Sequence, residues 1–162
     1  MKRIACPGCG ALVPDSPGPT HRYIGAPAQC WALFGEVLAR EYSDFRYASV
    51  HQLTVDSYAA QHPGEPSRQS IQSVAVHLIS LHLMLERGYG SRQATKAVQR
   101  ATTLENVFEW LDPPESLGAV TIEHVHGARD AAAHQERVRE WAAAVWSAWK
   151  PYHETVRGWA KR

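Results

Sequence analysis

All three cysteines of this 162-residue chain, and five of its ten prolines (Pro7, Pro14, Pro17, Pro19 and Pro27), fall within the first 30 residues. That asymmetry limits what the N-terminal part can be. Proline lacks the N–H that a helix interior needs and clashes with the preceding turn, so the stretch PDSPGPT cannot be helical. The arm holds little apolar material to collapse around, and a segment of that kind needs a staple. The opening MKRIACPGCG supplies half of one. Cys6 and Cys9 lie in a Cys-Pro-Gly-Cys turn where two thiolates can converge on one tetrahedral ion, and Gly8 and Gly10 leave the backbone free to turn its N–H groups toward the sulfurs.

The other ligands should be thiolate or imidazole. Cys30 is the remaining cysteine and stands at the start of a predicted helix, where the dipole favours the thiolate. His21 is the nearest imidazole and lies in the same arm. Cys6, Cys9, His21 and Cys30 form a three-Cys, one-His set of the kind that holds structural Zn2+. A competing use of CxxC is a redox pair, which requires a strand before the motif and a helix beginning inside it. Gly10 and Pro14 oppose that helix. The plainer alternative leaves Cys30 packed in the core and Cys6 and Cys9 as loose surface thiols. An odd cysteine count opposes a full disulfide framework, and free thiolates suit a reducing cytoplasm. The basic pair at the start is followed by no apolar run, so no signal peptide is expected.

From Trp31 the pattern becomes helical. The fold class is mainly α: an irregular four- or five-helix bundle (31–162) with a proline-rich, metal-stapled N-terminal arm (1–30), the whole forming one domain. CWALFGEVLAREY places Trp31, Phe34, Leu38 and Tyr42 on one stripe. TVDSYAAQ belongs to a second helix ended by His62-Pro63-Gly64. A third, over 67–87, is the most apolar and is expected at the centre of the bundle, with Ile71, Val74, Leu78, Leu81 and Leu85 in line. SRQATKAVQRA is a shorter helix with Ser91 as N-cap. Thr102 and Glu105 have capping-box spacing and open the turn carrying Phe108 and Trp110. GAVTIEHVHG is short and β-branched and reads as extended. The last long helix runs from about Ala128 to Trp149, with an amphipathic continuation after Pro151.

Nine histidines offer a second cluster, with His51, Asp56, His62 and His77 as its members. Geometry restricts it. On one helix His51 and His62 would lie ~16 Å apart, too far to share an ion. His77 and His82 point about 140° from each other, so at most one joins a site. The short PGEPS turn folds the two helices antiparallel, so Asp56 and His77 should be neighbours, with His62 near the turn. The bland alternative has these histidines at helix ends and core edges, bonded to backbone or carboxylate. His124 and His126 would share a face in a strand, and His134 and His153 read as helix-surface residues.

A net charge of +1 opposes a dedicated phosphate binder, and no apolar run approaches the length of a membrane span. Nucleic acid and membrane are therefore not expected as partners. Arg92, Lys96 and Arg100 make a basic stripe that reads as a solvated helix face. Four of the six tryptophans follow residue 140, and an exposed part of WAAAVWSAW would suit a homodimer.

CPGCGALVPDSPGPTHRYIGAPAQCWALFGEVLAREY, with HQLTVDSYAAQHPG and QSVAVHLISLHLMLERG, resembles a family of bacterial proteins known only as a domain of unknown function. The likeness covers nearly the whole chain. It rests on an N-terminal CxxCG, a later Cys-Trp and a VDxYAxQHP block, and so marks Cys6, Cys9, Cys30, Asp56 and His62 as motif members without giving them roles. The sequence thus reads as a small zinc-binding helical protein whose metal is structural. The rivals are a metal-dependent enzyme using Asp56, His62 and His77, and a regulatory or nucleic-acid-binding module using the arm and the basic stripe.

Overall fold

The computed structural model describes residues 2–103 and 107–161, and it turns the proline-rich arm into a β-hairpin. Strands β1 (Arg3–Ala5) and β2 (Leu12–Pro14) run antiparallel, with Arg3 opposite Pro14, Ile4 opposite Val13 and Ala5 opposite Leu12. The Cys6 N–H donates to Ala11 O and the Gly10 N–H to Cys6 O, each at 2.8 Å, which closes the CPGC turn. Gly10 takes φ +78°, a conformation glycine adopts without steric cost. Alternation sends Val13 into the core and Leu12 to solvent. A strand thus precedes the CxxC motif, but a second strand follows it, so the helix a redox pair requires is absent.

Seven helices follow among the described residues: α1 (Ala28–Ser43), α2 (Ala48–Gln61), α3 (Arg68–Glu86), α4 (Ser91–Thr103), α5 (Ile122–His126), α6 (Ala131–Ala148) and α7 (His153–Ala160). The protein is mainly helical, as its periodicity implies. Helix α3 begins on a reciprocal cap between Ser67 and Ser70 and ends at Gly88, φ +68°. The GAVTIEHVHG stretch departs from expectation. Thr121 Oγ1 accepts from the Glu123 N–H and the Thr121 N–H donates to His124 Nδ1, so a local cap makes α5 a short helix and overrides the β-branched run. His124 and His126 therefore share no strand face. In α4 the first helical residue is Ser91, and Gly90 occupies the cap position, its N–H bonded to Gln93 Oε1. The Thr102–Glu105 capping box falls at Glu105 outside the described residues.

The buried face of α1 is Cys30, Phe34, Val37 and Glu41, while Tyr42 is 75% exposed. The expected Trp31–Tyr42 stripe is displaced because Cys30 and Glu41 both make polar contacts inside the molecule. Helix α3 packs against α2, α4, α6 and α7, the central place its apolarity implies, and the more polar α2 is buried as deeply over its second half. Helix α2 packs against both α3 and α6, and every residue from Asp56 to Gln61 is buried. Its polar groups tolerate this because they are bonded. Gln61 Nε2 donates to Leu117 O (3.1 Å) and Val120 O (2.8 Å), and Gln61 Oε1 accepts from Trp141 Nε1 (2.9 Å). Trp149 Nε1 donates to Ala60 O at 3.1 Å.

One connected core runs from Cys6 in the hairpin to Trp159 in α7. Trp141, Trp146, Trp149 and Trp159 are all buried within it, so they leave no exposed tryptophan face of the kind a homodimer would use. On α4, Ala94, Ala97 and Ala101 face inward and Arg92, Lys96 and Arg100 are exposed, the arrangement of a solvated basic stripe. Among the described residues no helix is long and apolar enough to cross a membrane.

Gln61→Ala would orphan two buried carbonyls and the Trp141 N–H. It should cost about 3 kcal/mol in urea denaturation, and a loss below about 1 kcal/mol would show that these bonds do not anchor α2.

Candidate metal centre

Three segments meet at the C-terminal end of α2. The hairpin turn brings Cys6 and Cys9, the first turn of α1 brings Cys30, and the residue that ends α2 is His62. Their ligand atoms all lie within 4.8 Å of one another, and all four residues are buried. Cys9 Sγ is 3.9 Å from Cys30 Sγ, and Cys30 Sγ is 3.5 Å from His62 Nε2. A tetrahedral ion with metal–sulfur bonds of about 2.3 Å and a metal–nitrogen bond of about 2.0 Å sets sulfur–sulfur edges of about 3.8 Å and sulfur–nitrogen edges of about 3.5 Å. The two distances match those edges, so the group can hold a metal ion.

The surroundings orient the ligands. His62 Nδ1 bonds Tyr58 O at 2.7 Å, one of the carbonyls left over at the helix end. A carbonyl only accepts, so Nδ1 carries the proton and the Nε2 lone pair turns toward the sulfurs. The Tyr58 ring stacks on His62 at 4.0 Å and on Phe34 at 3.9 Å, and its hydroxyl donates to Cys30 Sγ at 3.3 Å. The arm is tied to the same helix end, since the Gly25 N–H donates to His62 O at 3.1 Å. Gly8 lies against it so closely that a Cβ would stand 2.5 Å from Gln61 O.

The thiols do not ionise independently. Hydrogen bonds from Cys30, then Cys9, with help from His62, hold Cys6 far below the usual thiol range. Cys30 draws Cys9 down, but the bond Cys9 gives to Cys6, together with burial and the Cys6 charge, outweighs this and pushes Cys9 up to about 12. Cys30 is raised strongly by the bonds it gives to Cys6 and Cys9 and by burial. Burial, reinforced by the nearby sulfur charge, keeps the Tyr58 hydroxyl protonated and able to donate. The chain's own donors thus support one thiolate, and three require a cation among them.

His21, the expected fourth ligand, lies outside this group. Its Nδ1 accepts from the backbone N–H groups of Tyr23 and Ile24, both at 3.2 Å, and its ring packs edge-on against Tyr23. The imidazole caps a turn of the arm. His62, assigned from sequence to the second cluster, occupies the place expected for His21.

What remains of the second cluster separates into two carboxylate networks. Asp56 and His77 are neighbours as expected: His77 Nδ1 bonds Asp56 Oδ1 at 2.8 Å, and Asp56 also accepts from Gln52 Nε2 (2.9 Å) and Ser80 Oγ (2.5 Å). His51 bonds Glu41 instead, at 2.8 Å. The buried Glu41 also accepts from Thr54 Oγ1 (2.6 Å) and His134 Nε2 (2.7 Å). Arg40 Nη1 lies 3.2 Å from His134 Nδ1. His134 is therefore fully buried and not a surface residue. Sequence reasoning missed Glu41, Thr54, His134 and Tyr58. The signals available were Glu41 four residues beyond Val37 and seven beyond Phe34, on the helix face of Cys30, and the four-residue spacing that puts Tyr58 and His62 on one helix face.

The fold and this centre define a small helical protein with a buried three-cysteine, one-histidine group at the junction of a β-hairpin and two helices. The chain belongs to DUF5946, a family of unknown function, which it matches over residues 4–150. No curated protein and no solved structure matches it.

Gly8→Ala would force the knuckle off the α2 terminus. It should destabilise the protein by ~2 kcal/mol in denaturant titration, and an unchanged midpoint would show that the close approach is not needed.

Proposed function

We propose that this is a zinc-binding protein whose Zn2+ is structural, held by Cys6, Cys9, Cys30 and His62, and that residues 1–162 act as one domain knit together at the ion. The observation that carries this reading is the closed, buried set of three sulfurs and one imidazole within 4.8 Å. Such a set fills a tetrahedral shell with protein ligands, whereas catalytic zinc keeps one position for water or substrate. Thiolate-rich ligation also favours zinc over hard, oxygen-seeking cations. The ligands come from the arm and from two helices, so binding the ion joins parts of the chain that are distant in sequence, and its binding energy becomes folding energy. A reducing compartment such as the cytoplasm suits the three thiols, which are free in the structure.

Protein purified under reducing conditions should contain about one zinc per chain by elemental analysis. Replacing zinc with cobalt should give thiolate charge-transfer and tetrahedral d–d bands. Cys30→Ser and His62→Ala should lose the metal and lower the melting temperature, while His21→Ala should retain it. Absence of metal, or equal loss on removing His21 and His62, would overturn the assignment.

A further inference from the structure

The Asp56–His77 pair is not part of the metal centre, and it leaves chemistry unused. His77 Nδ1 is committed to a fully buried carboxylate, which places a proton on Nδ1, so that in the neutral ring Nε2 is the acceptor. Among the described residues Nε2 has no partner. One helical turn earlier on the same face of α3 lies Ser73, 8% exposed, whose hydroxyl also has no hydrogen-bond partner among the described residues. Residues four apart on a helix stand about 6 Å from each other.

Both side chains line a recess of about 160 Å3 whose other walls include the rings of Tyr23, Trp31, Phe34 and Tyr58. Tyr23, Ser73 and His77 also line an outer cleft of about 1000 Å3, so the recess and the cleft adjoin at these residues. Apolar walls with a few convergent polar groups are the usual construction of a small-molecule site. The recess volume equals the liquid share of about five waters, room for one six-membered ring with a small substituent. An acceptor nitrogen and a hydroxyl on residues that line the same recess match a ligand group that both donates and accepts. The buried carboxylate behind the imidazole strengthens Nε2 as an acceptor and favours an acidic hydroxyl over an aliphatic one.

We propose that this recess binds a single-ring hydroxyarene, its hydroxyl donating to His77 Nε2 and accepting from Ser73 Oγ, its ring packed among the aromatic walls. The site shares the Tyr58 ring with the metal centre, but none of its proposed polar contacts involves a ligand of the ion.

The test titrates the full chain with phenol and, separately, with anisole, which keeps the ring and its oxygen but carries a methyl in place of the donor hydrogen. Binding is read from the imidazole 15N resonances of His77, assigned by their loss in His77→Gln. Phenol should shift the His77 Nε2 resonance saturably, and anisole should bind at least about tenfold more weakly, because it leaves the His77 acceptor unpaired within the recess. Ser73→Ala should weaken phenol about fivefold while metal content and melting temperature stay unchanged. An unmoved His77 resonance, equal affinity for phenol and anisole, or full affinity in Ser73→Ala would each overturn the proposal. Loss of metal in Cys30→Ser bears on the other centre alone, so the two readings fail separately.

Discussion

A helix segment can be buried on every face only if its polar groups are bonded, and the stretch of α2 from Asp56 to Gln61, with Thr54 before it, satisfies that condition with partners drawn from most of the molecule. Glu41 of α1 accepts from Thr54, His77 and Ser80 of α3 bond Asp56, and Cys30 of α1 accepts from Tyr58. Trp141 of α6 donates to Gln61, Trp149 just beyond α6 donates to Ala60 O, and the loop before α5 accepts from Gln61. His62 then carries the helix end into the thiol group. The exception is Ser57, whose buried hydroxyl has no partner among the described residues. Each bond is worth little net stability, but an orphaned group at this depth costs its full desolvation. The bundle can therefore assemble around α2 in one register only.

The two buried carboxylates show the same logic. Glu41 and Asp56 are each met by three partners: two imidazoles and a hydroxyl for Glu41, and one imidazole, an amide and a hydroxyl for Asp56. Glu41 ties α1 to α2 and α6, and Asp56 ties α2 to α3. An unpaired carboxylate would be far too costly to bury, so these contacts specify which helices meet and at which turn.

The thiol group is the opposite case, a cluster its own neighbours do not fully satisfy. Three sulfurs in mutual contact support one negative charge, with Cys6 drawn down and Cys9 and Cys30 pushed up. A metal ion, which the group could hold, would resolve that conflict by replacing shared protons with a common counter-charge. The rest of the site is already arranged for it: the His62 tautomer is set by Tyr58 O, the Tyr58 hydroxyl backs Cys30, and Gly8 admits the knuckle to the helix end.

Periodicity and punctuation, read along the chain, were enough for a mainly helical fold, the bounds of α3, the turn after His62, and the pairing of Asp56 with His77 through a short antiparallel connection. These are local properties, carried by residues near one another in sequence. The CPGC turn likewise announced a half-site at Cys6 and Cys9, with Cys30 the remaining thiol. Tertiary structure alone decided which imidazole completes the group, because His21 and His62 are equivalent as ligand types and differ only in where the packed helices carry them. It also decided that the amphipathic face of α1 turns toward Cys30 and Glu41, that the polar second half of α2 is buried beside the apolar α3, and that His134 is buried. Burial of a polar side chain depends on a partner supplied from a distant part of the chain, and no local pattern records where that partner will be.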